Sequence, residues 1–345
     1  MRRRLYKAIW SILIFYLGLN SPDLVLAKDY LYVPVTNGLQ VIDCDTDTVV
    51  ETVPVYKDYI AQAAFSPDGK RYYLNTYDSV HAFDTTTNKL IETYKFSHPM
   101  SRVTVFGFAV SEDGTKFYLS CTIVKKKHNI PKLNVLPPQL VVYDIQTKQV
   151  VKNFPIPYCV TGILTLRNDA NHVILVALNV YKLDLTNGNL EKLMGLLNPE
   201  NGEEAKNTLM VFNNYSPGDH GIFTNPYYSK SGMGYLIIDR NTGEVRALRG
   251  KDVWMEYSTI LSPDKRYLYG VMDELVKIDS KTGETVKSVP VMEGTCYVVT
   301  TTADGKKVYV GPGGSDISVY DTETLQLLKV IPLTGDGAIV HRLSY

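Results

Sequence analysis

Val41-Ile42-Asp43-Cys44-Asp45-Thr46 reads as the end of a strand running into a tight turn: an apolar pair, an aspartate, two variable positions and a threonine. The same order returns as Ala82-Phe83-Asp84-Thr85-Thr86-Thr87, Val142-Tyr143-Asp144-Ile145-Gln146-Thr147 and Lys182-Leu183-Asp184-Leu185-Thr186-Asn187. It returns again as Ile237-Ile238-Asp239-Arg240-Asn241-Thr242, Lys277-Ile278-Asp279-Ser280-Lys281-Thr282 and Val319-Tyr320-Asp321-Thr322-Glu323-Thr324. Successive aspartates are 41, 60, 40, 55, 40 and 42 residues apart, a period near 40 with two units enlarged by insertion. Short strands at that period mark propeller blades, so seven copies predict an all-β, seven-bladed β-propeller.

The aspartates are expected to be structural. A carboxylate at this place accepts hydrogen bonds from backbone N–H groups two or three residues on, and the threonine hydroxyl reinforces the turn. Asp43, Asp84, Asp144, Asp184, Asp239, Asp279 and Asp321 each occupy one equivalent position per repeat, which suits a turn and not a catalytic pair. A second turn lies upstream of most copies: Ser66-Pro67-Asp68-Gly69, Ser111-Glu112-Asp113-Gly114, Ser262-Pro263-Asp264-Lys265 and Thr302-Ala303-Asp304-Gly305. Asp-Gly supplies the positive φ of a tight hairpin, and the strands after it are rich in tyrosine, a good strand former. The fourth unit departs, with Leu166-Arg167-Asn168-Asp169 in that place. Hardly any segment reads as a helix; Gly202–Asn207 is the one stretch expected to form a helical turn or two.

The ends predict how the ring closes. The first unit goes directly from Tyr30-Leu31-Tyr32-Val33 into its Asp43 strand and lacks the strand that precedes the second turn elsewhere. A surplus strand, Gly337–Tyr345, follows the last copy. Pairing the two in one blade removes two exposed sheet edges.

Arg2, Arg3, Arg4 and Lys7 precede an apolar run from Ala8 to Leu19, the pattern of a signal peptide. Cleavage is expected after Ala27, giving residues 1–27 as signal and 28–345 as the propeller, in the periplasm. An uncleaved anchor is the alternative, but about twelve apolar residues fall short of the ~20 that span a bilayer. Removing four basic residues and one acid from 36 of each leaves 32 and 35, a mildly acidic chain with no call for nucleic acid. Cys44, Cys121, Cys159 and Cys296 lie far apart; one or two disulfides or buried thiols both fit.

No Cys-x-x-Cys-His, GxSxG, HExxH, Walker loop or GxGxxG is present. The six histidines stand singly, so no metal site is expected. Beyond residue 27 the sole tryptophan is Trp254, so a quinone built from two tryptophans has no material here.

The order of features resembles the β subunit of quinohemoprotein amine dehydrogenases, and more distantly amine dehydrogenase heavy chains and YVTN-type propellers. The resemblance covers Lys28 to Tyr345. It rests on Lys28-Asp29-Tyr30 with the short first unit, Val135-Leu136-Pro137-Pro138 leading into the Asp144 strand, Asn225-Pro226-Tyr227-Tyr228, Lys251-Asp252-Val253-Trp254 and Tyr320-Asp321-Thr322-Glu323-Thr324-Leu325. It implies a non-catalytic scaffold subunit of an enzyme that deaminates primary amines to aldehyde and ammonia. A small subunit would carry cysteine tryptophylquinone and a dihaem cytochrome c subunit would carry haem c. The insertions Cys121–Gln139 and Leu193–Ser231, with Tyr227, Tyr228, Trp254, Tyr257 and Tyr297, are then expected to wall the amine pocket and seat the small subunit. Two other readings stay open: an exported propeller that binds an envelope partner without catalysis, and a metal-dependent propeller hydrolase such as a lactonase.

Overall fold

The computed structural model describes residues 28–36, 38–54, 60–209, 211, 216–291, 295–311, 313–337 and 339–345. The expected signal segment, 1–27, lies outside them. Seven antiparallel sheets form the blades of a propeller, and the described residues contain no helix.

Blade one joins the two ends of the chain, in the order His341–Ser344, Asp29–Val35, Gly38–Asp43 and Thr48–Pro54 from the channel outward. Blade two is Gln62–Phe65, Arg71–Asn75, Ser79–Asp84 and Leu90–Lys95. Blade three is Ser101–Val110, Lys116–Lys127, Gln139–Asp144 and Gln149–Pro155, with Ile130–Val135 added beside its second strand. Blade four is Gly162–Leu166, Asp169–Val176, Asn179–Asp184 and Leu190–Gly195. Blade five shows Ile222–Ser229, Gly232–Asp239 and Val245–Arg249 among the described residues. Blades six and seven run Glu256–Leu261, Tyr267–Met272, Glu274–Asp279, Thr285–Pro290 and Val298–Thr301, Lys307–Gly311, Asp316–Asp321, Leu327–Pro332.

Closure follows the expected pairing. Tyr30 pairs with Leu343, Leu31 with Arg342 and Tyr32 with His341, and an isolated bridge joins Val35 to Gly337. Inner strands of neighbouring blades touch, as Gln62–Phe65 does Ser101–Val110 and Glu256–Leu261 does Val298–Thr301, so they line a central channel. Middle strands are covered on both faces by the neighbouring blades, and Gly38–Asp43 is buried throughout. Outer strands meet solvent, and Thr48–Pro54 is mostly exposed. This is why the middle strands read as nearly continuous apolar runs.

Both repeated turns have the geometry expected of them. Asp84 Oδ1 accepts from the N–H groups of Thr86 and Thr87 at 3.1 and 2.8 Å, and Asp321 from those of Glu323 and Thr324 at 3.1 and 2.7 Å. The N–H of Thr87 and that of Thr324 hold these two carboxyls below the usual carboxylate range, as is expected when the charged form accepts several donors. In the upstream turn the hydroxyl of Ser66, Ser111, Ser262 or Thr302 donates to the aspartate two residues on. Gly69, Gly114 and Gly305 have φ of 70°; Lys265 takes the same left-handed conformation, φ 62°, without glycine's freedom.

Two local expectations are corrected. Gly202–Asn207 forms no helix: Asn201 and Gly202 have φ of 56° and 75°, which ends a helix before it starts, and Asn207 bridges Tyr228 instead. In blade four the missing Asp-Gly frees Arg167 to reach across to blade five, where its Nη2 bonds Asp219 Oδ1 at 2.6 Å.

The tyrosines explain how blade fastens to blade. Tyr32 donates to the Thr85 carbonyl at 3.1 Å, Tyr269 to that of Thr322 at 3.3 Å, and Tyr309 to Asp47 Oδ1 at 2.6 Å. Each comes from the second strand of one blade and reaches the aspartate turn of the next. A hydrogen bond to a buried carboxylate is worth ~1.5–3 kcal/mol. Tyr309→Phe is therefore expected to lower unfolding free energy by about that amount, read by urea denaturation; a loss under about 0.5 kcal/mol would show that this contact fastens nothing.

Candidate functional site

Adjacent strands run antiparallel, so a blade's connections alternate between two rims of the ring. The first-to-second and third-to-fourth turns share one, here the turn rim, and all the aspartate motifs belong to it. The second-to-third loops and the blade-to-blade connections belong to the other, the loop rim. Both insertions fall there. In blade three, Lys116–Lys127 overshoots the sheet and Ile130–Val135 folds back along it, with Asn134 opposite Lys125. The second insertion turns inward: Lys206 N–H bonds the Leu196 carbonyl at 2.7 Å, and Leu196 is buried.

Among the described residues most large exposed apolar side chains fall into two sets, with Tyr345 at the turn rim outside both. One lies on outer strands, such as Val50, Val150 and Leu328. The other lies on loop-rim segments: Leu133 and Val135 on the first insertion, Leu209 on the second, Tyr158 on the connection into blade four, and Val253 and Met255 on the connection into blade six. Tyr158 and Val253 are 68% and 67% exposed.

The five aromatic residues picked out in the sequence all lie on segments that reach this rim. Tyr227 is buried, and Gly234 leaves the room it needs: a Cβ there would stand 2.5 Å from the Tyr227 hydroxyl. Tyr228 Oη donates to the Glu256 carbonyl at 2.9 Å and accepts from the Glu256 N–H at 2.5 Å. Trp254 leans outward between blades five and six, its indole N–H bonded to Thr285 Oγ1 at 2.9 Å. Tyr257 and Tyr297 tilt against one another with centroids 5.0 Å apart. Tyr228 and Trp254 pack against the cluster of Met233 and Tyr235, and Tyr257 pairs instead with Tyr297 of the next blade.

Two features escaped the sequence reading. Glu256 is fully buried at the head of an inner strand. Tyr235 Oη donates to its Oε1 at 3.3 Å, while Oε2 is buried with no hydrogen-bond partner. Gly270 is required beside it, since a Cβ there would lie 2.3 Å from the carboxyl carbon. Burial pushes its pKa up to about 8, against the Tyr235 hydroxyl, which works the other way. The second feature is a cavity of about 400 Å³ at the loop-rim mouth of the channel. Phe106, Cys159, Leu178, Leu209 and His341 are among its walls. An acid inside an otherwise apolar and hydroxylic inner strand, Met255-Glu256-Tyr257-Ser258-Thr259, was the available signal for the first. The cavity had none, because its walls come from four blades and an insertion.

No family model and no curated protein sequence matches the chain. Solved structures do. The dihydro-heme d1 dehydrogenase NirN in complex with DHE is 16% identical at TM-score 0.56, over 91% of this chain and 75% of its own. Apo AztD from Citrobacter koseri is 15% identical at TM-score 0.60, over 92% and 98%. Kuenenia stuttgartiensis hydrazine synthase is 18% identical at TM-score 0.55, over 87% and 90%.

The likeness is one of fold. Function has to be argued from the residues of this propeller. Among the described residues no group of three or more His, Cys, Asp or Glu is placed to hold a metal ion, and no helix is long and apolar enough to cross a membrane. No disulfide forms among them: Cys44, Cys121 and Cys296 are buried and Cys159 is exposed. Burial pushes the Cys44 and Cys121 thiols up to about 12, which leaves both unreactive.

Proposed function

We propose that this propeller is the non-catalytic scaffold subunit of a periplasmic amine dehydrogenase of the quinohemoprotein type. The observation that carries this reading is the collection of exposed apolar side chains on the loop rim, beside the aromatic set. Single exposed apolar residues are ordinary, but a group of them on one face marks a partner surface. Aromatic residues and methionine are the types enriched at such surfaces. On this reading the small subunit sits over the segment from Val253 to Tyr257, and Tyr257 and Tyr297 offer an apolar wall to the alkyl part of a primary amine.

The cofactors belong to the partner chains. This chain has no Cys-x-x-Cys-His for haem c, and on this reading cysteine tryptophylquinone is carried by the small subunit. When bound in the complex they supply the redox chemistry. The propeller's part is to hold the small subunit, exclude water from its contact and present the amine. Two of the fold neighbours, a dihydro-heme d1 dehydrogenase and a hydrazine synthase, place the same scaffold in enzymes.

The test is reconstitution. The purified chain is expected to show no amine-dependent dye reduction, and turnover to appear only with the quinone-bearing and dihaem subunits. Val253→Asp with Met255→Asp is expected to weaken capture of the small subunit at least tenfold while leaving the melting temperature within a few degrees, since both side chains face solvent. Amine oxidation by this chain alone, or undiminished capture by the double variant, overturns the reading.

A further inference from the structure

We infer that the turn-rim end of the central channel is a binding site for a small organic carboxylate, with Arg342 as its anchor. Arg342 lies on the inner strand of blade one and is 92% buried, its relative exposure being 8%. It borders a cavity of about 250 Å³ together with Thr224, Thr259, Thr300 and Thr301. Its Nη1 donates to the Thr301 carbonyl at 3.0 Å. Its Nε is buried with no partner. No acceptor among the described residues occupies the guanidinium edge formed by Nε and Nη2, and Nε is closed off from solvent as it stands.

A buried guanidinium is costly unless paired, and the neighbouring acids are engaged elsewhere. Asp219 Oδ1 accepts from Arg167 Nη2 and the Gly221 N–H, and its Oδ2 from the Ser216 N–H. Asp29, farther along the adjoining strand, accepts from Ser344 Oγ and the Ala303 N–H. Glu112, near the same mouth, pairs with Arg240. Three arginines (Arg167, Arg240, Arg342) and two carboxylates (Glu112, Asp219) line this end of the channel; Asp29 behind them balances the positive charge, and none of the three carboxylates pairs with Arg342. His220 adds no charge: its Nδ1 accepts from the Ile222 N–H, its Nε2 contacts the Leu261 carbonyl, and burial pushes its pKa down.

Carboxylate is the group that fits. Two parallel N–H donors match its two oxygens, and the bidentate pair is stronger and more directional than a point contact. A carboxylate that meets Nη2 from the cavity and draws the side chain toward it also satisfies the orphaned Nε, whose lack of a partner otherwise weakens the fold. The threonines at the wall supply hydroxyls for a second polar end, and the volume suits a molecule of a few carbons. This site lies at the opposite end of the channel from the loop-rim cavity and does not depend on the amine dehydrogenase reading.

Sodium acetate, sodium succinate and sodium phosphate titrated into the full chain at fixed ionic strength test it, by calorimetry and by melting temperature. Acetate or succinate is expected to bind saturably and raise the melting temperature by several degrees at saturation, and Arg342→Gln to weaken that binding at least tenfold. Should Arg342→Gln fail to fold, Thr300→Val keeps the arginine and is expected to weaken succinate severalfold. No saturable effect of either carboxylate on the unaltered protein overturns the proposal. So does equal binding by Arg342→Gln, unchanged succinate binding by Thr300→Val where that variant stands in for it, or binding of phosphate without acetate or succinate.

Discussion

Removal of Gly337–Tyr345 is expected to abolish the single cooperative unfolding transition of the propeller. The segment carries Val340 and Leu343, each 1% exposed, and Ile339, 8% exposed. Burying side chains of this kind contributes ~1.5–3 kcal/mol apiece, so three together amount to about 5–9 kcal/mol, against the ~5–15 kcal/mol that holds a whole domain. Deletion also unpairs Asp29–Val35 along one edge and takes away the His341 ring from the Tyr72 hydroxyl, 3.1 Å distant. Blades one and two then lose their inner contact, and a ring with one gap melts as a series of neighbouring sheets. Differential scanning calorimetry reads this directly. A truncated chain that melts in one sharp transition at the parent temperature would falsify the closure argument.

The second large effect concerns pH. Glu256 is held protonated by burial, with a folded pKa of about 8 against an ordinary 4.5. Between those values the folded state binds a proton that the unfolded state has released, so the contribution is fully present below pH 4.5 and lost as pH rises through 8. His220, pushed down by burial, acts with the opposite sign, adding stability as pH rises toward 6.5 and nothing beyond, so the window above pH 6.5 isolates the carboxyl. From pH 6.5 to 8.5 the loss assigned to Glu256 is about 2 kcal/mol by linkage. Glu256→Gln keeps an acceptor for the Tyr235 hydroxyl and removes the titration. Urea denaturation at pH 6.5, 7.5 and 8.5 should show the unaltered protein weakening relative to this variant; two parallel pH curves would reject a buried, protonated Glu256.

What could be read in the sequence, and what could not, divides by rim. Asp43 to Asp321 and the upstream turns with Ser or Thr two residues before Asp recur because a tight turn imposes the same local hydrogen bonds wherever it occurs, so seven blades and their order were legible from one chain. The missing and surplus strands at the ends gave the closure by the same logic. The loop rim has no such local rule. Tyr227 and Tyr228 were singled out as a pair, yet strand alternation sends them to different places: Tyr227 lies beside Gly234 and Tyr228 against the Glu256 backbone. Glu256 offered only the signal of an acid inside an inner strand, and Arg342 went unnoticed because its significance comes from burial by neighbouring blades, a property of distant segments that no window of sequence contains. The third blade's fifth strand was concealed for a related reason, since Ile130–Val135 pairs with an overlong partner inside a stretch that carries no turn motif.

The pairing of Leu31 with Arg342 also fixes an order of events during synthesis. At ~5–20 residues per second the segment Asp29–Val35 emerges on the order of half a minute before the strand that completes its sheet. Throughout that interval one edge of blade one stands open, able to pair with any extended segment it meets, another nascent copy included. The other six blades can assemble from neighbours in sequence as they appear, whereas blade one waits for His341–Ser344. A chain cut short before His341 keeps that edge unsealed and sticky, whereas one that includes His341–Ser344 conceals it.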